Sequence, residues 1–426
     1  MSGRSPGRLR GPRCRRSDEK RTPVELKRVF VESAGASRVR LVGEVIHDDR
    51  PREVERYWFE IPERYADSLS TSGNPWLACL LPLAVVRREP LRLCRPIDPV
   101  LQANVSRLMR IWTGWYRELQ EVRIEAEQEP TQPGPGSPEA AALFSGGVDS
   151  FFTVLRNDEA RDRDTFPAID RLLCVWGFDI FLSTPEEFAR LRSRLAQAAQ
   201  DLGKELVDVT TNLRDSRFQE APWGPLAHGC ALASVGLMLE RRFRAVYIAA
   251  THSSGSLIPW GSHPETDPLL STSITRIIHD GIDVGRSEKT WYISRSDAAM
   301  RSLHVCFRAR SAENCCACRK CYLTMLTLDV IGALSRCPAF RVHDLDLARV
   351  KRIFVDSSIN AVIFREIEAR ARAVGRHDVA DAIGKCLKRS RRLQRLVSLL
   401  GWLNTKRGLW RVARRLRPVV LAGSVR

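Results

Sequence analysis

The sequence predicts an α/β protein built on a doubly wound parallel sheet, with an α+β segment before it and a helical extension after it. Three observations carry this reading. From Glu139 onward, short apolar runs of strand length alternate with longer stretches of helical spacing, as in a parallel sheet covered on both faces. The first such run, Ala141 to Phe144, breaks into a Gly-Gly turn and then into an apolar helix. Glu129 to Pro138, containing P-T-Q-P-G-P-G-S-P, reads as a linker that sets off what precedes it.

Residues 1–22, rich in Arg, Gly, Ser and Pro, are expected to be a disordered basic tail. An N-terminal α+β domain is expected over 23–129. Within it, Arg38–Ile46 and Glu53–Glu60 look like half-buried strands, and Tyr57–Ile61 is strongly β-favouring. Trp76–Val86 is too short to span a bilayer and reads as a buried strand or helix. Val105–Glu125 reads as a helix, and Cys79 and Cys94 as small core residues.

A nucleotide domain is expected over 139–336. Asp149 and Ser150 open its first helix, continuing through Phe151–Leu155. Arg171–Trp176 is the second strand. Thr184 and Glu187 form a capping box, with Pro185 first in a helix that ends near Gly203. Glu205–Thr210 is the third strand, Leu226–Arg242 a mainly apolar helix and Ala245–Ala250 the fourth strand. Sites of such sheets lie at the carboxyl ends of the strands. That rule gathers the Ser145 turn, Trp176–Asp179, Thr210–Leu213 and Thr251–Ser256 on one rim. Tyr322–Leu334 reads as a further helix. The remainder, 337–426, reads as a basic helical region with Val355, Ile359, Val362, Ile363 and Ile367 at helical spacing.

The formal charge of +18 is terminal. Residues 1–22 hold eight bases against two acids, and 385–426 hold thirteen against none. The body between them is left with 47 bases and 48 acids. A domain that grips a long nucleic acid spreads its cations over itself, so nucleic acid is the disfavoured partner. Leu387–Leu416 interleaves Leu393, Leu396, Leu400, Trp402 and Trp410 with arginines. It reads as a packed basic helix pair or as a contact for an anionic membrane surface or acidic partner. The first 22 residues carry no apolar stretch of signal-peptide type, so a cytoplasmic location is expected.

The chemistry concentrates in two places. Ser145-Gly146-Gly147-Val148-Asp149-Ser150 follows a strand and opens a helix, so bare N–H groups and the helix dipole converge on one point and favour a phosphate there. It is not the Walker pattern, since no Gly-Lys-Ser or Gly-Lys-Thr occurs in the chain. Cys306, Cys315, Cys318 and Cys321 give C-x8-C-x2-C-x2-C, a spacing that can wrap one tetrahedral Zn²⁺ in a closed, structural site. Cys316 could replace Cys315, and a redox dithiol is the rival reading.

The string S-G-G-V-D-S resembles the PP-loop, S-G-G-x-D-S, of ATP pyrophosphatases, which cleave ATP between the α- and β-phosphates. Together with the four cysteines it resembles the 7-cyano-7-deazaguanine synthase (QueC-like) family over roughly residues 139–336. The resemblance implies ATP and Mg²⁺ as cofactors beside a structural zinc. By position, Ser145, Gly146, Gly147, Val148 and Ser150 would hold the pyrophosphate portion, and Asp149 would help place Mg²⁺. Trp176, Gly177 and Leu213 would line the adenine side. Lys289, in G-R-S-E-K with Arg286 and Glu288, would reach a phosphate or the substrate, with a surface charge at a helix start as the alternative.

The loop Thr251–Thr272 departs from the family's substrate loop, and both terminal regions are foreign to the compact synthase. The activation chemistry is therefore carried over and the substrate is not. His252, Trp260, His263, Glu265 and Asp267 are candidates to face the acceptor, against a Pro-ordered surface lid with Trp260 packed beneath it. A second metal at His263, Glu265 and Asp267 is also considered. The expected partners are ATP and a small-molecule acceptor, with a homodimer left open. The expected activity is adenylation of a carboxylate or amide-type acceptor, giving AMP and pyrophosphate on the way to an amide or nitrile. Sulfur transfer to a tRNA base or small molecule, through Cys174 or Cys230, and a non-catalytic nucleotide-binding scaffold are the alternatives.

Overall fold

A computed structural model describes residues 23–129, 139–160, 162–306, 311–342, 344–355 and 358–407. The tail at 1–22, the linker 130–138 and the stretch beyond residue 407, with Trp410, lie outside the described residues. Two compact units are present. One comprises 1–145 with 149–283, the other Gly146–Val148 with 284–426.

The first unit holds, in chain order, β1 (Val24–Gly35), β2 (Arg38–His47), β3 (Arg50–Pro62), α1 (Asn74–Arg87), β4 (Leu91–Leu93), α2 (Pro99–Trp115), β5 (Ile124–Glu125) and β6 (Ala140–Leu143). After the Gly-rich turn come α3 (Val148–Glu159), β7 (Ile169–Trp176), α4 (Pro185–Asp201), β8 (Glu205–Thr211), α5 (His228–Leu237), β9 (Ala245–Ala249) and β10 (Arg276–Asp280). Among the described residues, the ten strands form one sheet, ordered β10-β9-β6-β7-β8-β3-β2-β1-β4-β5. From β10 to β8 every pairing is parallel. Counted within that half, the order is 3-2-1-4-5, which reverses between β6 and β9 and so defines a doubly wound sheet. With the right-handed crossovers general to parallel strands, this order places α3 and α4 on one face and α5 on the other. The fold class read from the sequence holds at this level. Every residue of β6 is buried, as a central parallel strand covered on both faces requires.

The expected N-terminal domain is not set apart. The antiparallel β1–β3 sheet joins the parallel half directly, because β3 pairs with β8 at Phe59–Thr211 and Glu60–Thr210. The ladder is short, and side chains extend it. Asn212 accepts from Trp58 N at 2.9 Å and donates to Arg56 O at 2.8 Å, while Thr211 Oγ1 donates to Trp58 O at 2.8 Å. Arg38 bridges Glu60 and Asp208 across the seam. Without β3, the outer edge of β8 would present unpaired backbone groups. Alternation on β3 turns Tyr57, Phe59 and Ile61 inward onto α1, whose residues Asn74–Val85 are all buried. Gly43 is required there, since a Cβ would lie 2.6 Å from the Trp76 ring.

Several elements shift from their sequence readings. The helix expected at Val105–Glu125 is α2, started by Pro99 and capped by Asp98 Oδ1, which accepts from Val100 N at 2.9 Å and Leu101 N at 3.1 Å. Thr184 makes no side-chain cap. Its hydroxyl donates back to Phe181 O at 3.0 Å, so the capping box does not form. Trp223–Ala227 is a π-helical turn before α5, and Cys94 is exposed rather than core.

Glu240, just past α5, is buried at 3% exposure and accepts from Ser70 Oγ, Ser72 Oγ and Asn74 Nδ2 at 2.5, 2.7 and 3.1 Å. Burial pushes its carboxyl up to about 7, against the downward pull of those three donors. A carboxyl raised in the folded state contributes stability below its unfolded value near 4.5, and that contribution disappears as pH rises through about 7. The wild-type chain should therefore lose on the order of 3 kcal/mol across this window relative to Glu240→Gln. Urea melts at a series of pH values measure this, and parallel profiles for the two proteins would count against it.

The second unit continues with α6 (Arg286–Ile293), α7 (Asp297–Ser302), α8 (Arg319–Val330), α9 (Leu347–Arg352), α10 (Ser358–Ala373) and α11 (His377–Arg407). Ile383, Cys386 and Leu387 of α11 are buried, as are Phe364 and Ile367 of α10, while Lys385, Lys388, Arg391, Arg392 and Arg395 are exposed. Over these residues α11 is a basic amphipathic helix packed on α9 and α10. Among the described residues, no helix is long and apolar enough to cross a membrane.

Candidate functional site

The Gly-rich turn sits at the carboxyl end of β6, beside the strand-order reversal where open α/β sheets place their ligands. Phe144 N donates to Leu173 O at 2.8 Å and carries the ladder one residue past the strand. Gly146 then takes φ +72°, a left-handed conformation open to glycine. Val148 starts α3, so the positive end of the helix dipole lies at the turn. Ser145 is exposed, Gly147 and Asp149 are half-buried, and Gly146, Val148 and Ser150 are buried.

Side chains outside the Ser145–Ser150 turn fix this helix. Phe151 packs edge-on against Phe144 at 4.9 Å between centroids, and Thr153 Oγ1 donates to Asp280 Oδ2 at 2.7 Å. The Asn157 carboxamide accepts from Ile169 N and donates to Pro167 O.

Because β6 to β9 run parallel, their carboxyl ends share one rim. Trp176 stands there half-buried, its ring stacked on Phe188 at 5.1 Å and its Nε1 donating to Phe181 O at 2.9 Å. Gly177, at φ +104°, lies so close to β8 that a Cβ would sit 2.0 Å from Thr211 O. Leu213 corrects the sequence reading. It is fully buried in the core and offers no face to an adenine ring.

The Thr251–Thr272 loop is tied down rather than draped. Trp260 fits between His228 and His252, ring centroids 5.9 and 6.0 Å away, and takes the space a side chain at Gly224 would need. His263 is buried and packs against Trp115 at 4.9 Å. Asp267, with no exposed surface, is the hub. Its Oδ2 accepts from Ser262 Oγ at 2.6 Å and lies 2.7 Å from His279 Nδ1, and its Oδ1 accepts from His263 N at 3.2 Å. Glu265 is exposed. With the Asp267 oxygens committed and Glu265 outside, His263, Glu265 and Asp267 do not form a metal triad. Burial holds the His228, His252 and His263 imidazoles below their ordinary range, His252 at about 4 although Asp149 pulls it upward. Asp267→Ala strands three buried donors and should cost about 3 kcal/mol. Thermal and urea unfolding check this, and a change below 1 kcal/mol would contradict the hub role.

Cys174 and Cys230 are buried, and burial raises both thiols, Cys174 to about 12. Both conditions oppose a nucleophilic thiolate.

In the second unit, Lys289 on α6 is 2% exposed, which removes the surface-charge reading. A buried ammonium needs compensating partners. The four cysteines converge as the spacing predicts, with all four sulfurs within 4.8 Å of one another. Cys306–Cys318, Cys315–Cys321 and Cys318–Cys321 are 4.0, 3.9 and 3.5 Å apart. Zn–S bonds of about 2.3 Å give tetrahedral edges of about 3.8 Å, so the set fits a metal ion such as zinc. Cys318 N donates to Cys315 Sγ at 3.2 Å, and Cys318 immediately precedes α8. Cys316 is excluded as a ligand. At φ +50° its sulfur turns to Asn314 O instead.

Asn314 was not singled out in the sequence. Its Oδ1 accepts from Val305 N and Cys306 N at 2.9 and 3.2 Å, and its Nδ2 donates to Leu303 O and Ala339 O at 2.8 and 3.0 Å. It clamps the segment that delivers the first sulfur, as residues behind metal ligands commonly do.

Comparison of the chain with protein-family models, with curated proteins and with solved structures gives no match.

Proposed function

We propose that this chain is a PP-loop ATP pyrophosphatase that adenylates a carboxylate or amide-type acceptor and passes it to a nitrogen nucleophile. One observation carries the reading: a Ser-Gly-Gly turn with left-handed Gly146 leaves the central strand beside the reversal of a 3-2-1-4-5 sheet and opens directly into α3.

In this reading the N–H groups of Gly146, Gly147 and Val148, with the Ser145 and Ser150 hydroxyls, hold the outer two phosphates of ATP. Asp149 is the carboxylate for Mg²⁺, which when bound neutralises charge on the departing pyrophosphate. Trp176 with Gly177 offers the adenine side. An acceptor oxygen attacks the α-phosphorus, the bond to the β-phosphate oxygen breaks and pyrophosphate leaves. The nitrogen nucleophile then displaces AMP and gives up a proton. Fixed dipoles aimed at the leaving group lower the first barrier without reorganising. His252, three residues past β9, and Trp260 against its ring are candidates to meet the acceptor.

The test is the nucleotide product. With α-labelled ATP, ammonium and a panel of small carboxylates, AMP and pyrophosphate are expected, and ADP would contradict the reading. Binding without turnover across a broad panel would favour a nucleotide sensor. Sulfur transfer is the weaker alternative because Cys174 and Cys230 are buried. Cys230→Ser should leave turnover within about twofold of wild type, and a loss of a hundredfold or more would restore the thiol reading.

A further inference from the structure

Gly146–Val148 belong to the same compact unit as the four cysteines. His304 N donates to Gly146 O at 2.7 Å, two residues before the first cysteine ligand. That segment, Leu303–Cys306, has no helix or strand of its own. It is held by Asn314, which bonds Leu303, Val305 and Cys306, and by His304 Nε2, 3.0 Å from Ser311 O. Asn314 itself is 8% exposed and directly precedes the second ligand, Cys315.

We infer that the four-cysteine centre is the anchor of the Gly-rich turn, with Asn314 and His304 as positioning residues, so that metal occupancy sets how well the turn binds phosphate. The inference rests on the reading of that turn as a phosphate cradle. The physical reason is pre-organisation. A left-handed glycine flanked by a second glycine is among the most mobile backbone a chain can have, and aimed N–H groups bind an anion well only if they are already fixed. A bond to the Gly146 carbonyl fixes the peptide plane whose other end is the Gly147 N–H. The donor is in turn only as fixed as its own segment, which is pinned by a sulfur on one side and Asn314 on the other. Metal loss frees Cys306 and lets that segment fray.

The experiment uses the full chain, metal-loaded and stripped by a chelator, with Asn314→Ala at excess zinc as a second arm. MgATP affinity is read by calorimetry, and amide hydrogen exchange is read at His304 and across 145–150. On stripping, MgATP affinity should fall at least tenfold, exchange at His304 should accelerate at least tenfold, and zinc should restore both. Asn314→Ala should reproduce the pattern in part, with the melting of the first unit unchanged. If Asn314→Ala does not fold, the stripping arm decides alone. Equal MgATP affinity and equal exchange in loaded and stripped protein would overturn the inference. If the loaded protein binds no MgATP, the phosphate reading itself fails. The exchange at His304 and 145–150 then still separates an anchored turn, which accelerates on stripping, from an independent one.

Discussion

Gly146→Val is expected to weaken MgATP binding by a factor of a hundred or more, measured by calorimetry on protein whose circular dichroism matches wild type. Gly146 holds φ +72°. An ordinary L-residue pays about 1–2 kcal/mol in the left-handed region, and a β-branched side chain is a genuine outlier there. The turn must then either strain or rotate, and rotation swings its N–H groups away from the point α3 faces. Gly147→Ala, one residue on, gives the milder comparison. Equal affinity for Gly146→Val and wild type would mean that the phosphates bind elsewhere.

Cys318→Ser is expected to have the largest effect on stability. Cys318 is fully buried, lies 4.0 and 3.5 Å from Cys306 and Cys321, and immediately precedes α8. Structural zinc in small domains contributes on the order of 10 kcal/mol, so the loss of one ligand should remove most of the bound metal. Elemental analysis should fall from about one zinc per chain to a small fraction. The unfolding midpoint of the second unit should drop by about 10 °C or more. Cys316→Ser is the internal control, because its sulfur faces Asn314 O, and it should retain both zinc and midpoint. A Cys316→Ser protein that loses its zinc would show that Cys316 is one of the four ligands.

The features legible in the sequence are those whose physics is local. The apolar run Ala141–Phe144, a glycine turn and a helix start announce β6 and α3 within twenty residues. The cysteine spacing announces the sulfur cluster because a C-x2-C turn brings its own sulfurs together. The pairing of β3 with β8 was not legible, since no local pattern marks which edge a strand will find, and so the N-terminal segment read as a separate domain. Leu213 is not legible because an apolar residue at a strand end can turn to the rim or to the core, and only tertiary packing decides. Asn314 and His279 were passed over for the converse reason. A polar side chain gains its importance from the buried partners it meets, Val305 and Cys306 for one and Asp267 for the other, and neither set adjoins it in the chain.

The most direct measurement is a crystal structure of the metal-loaded chain with Mg²⁺ and α,β-methylene-ATP, which cannot be cleaved between those phosphates. The β- and γ-phosphates should lie within hydrogen-bond distance of the Gly146, Gly147 and Val148 amides and the Ser145 or Ser150 hydroxyl, leaving the α-phosphorus open to the rim. A triphosphate bound anywhere else, with the turn closed by side chains, would contradict the proposed role of Ser145–Ser150 outright.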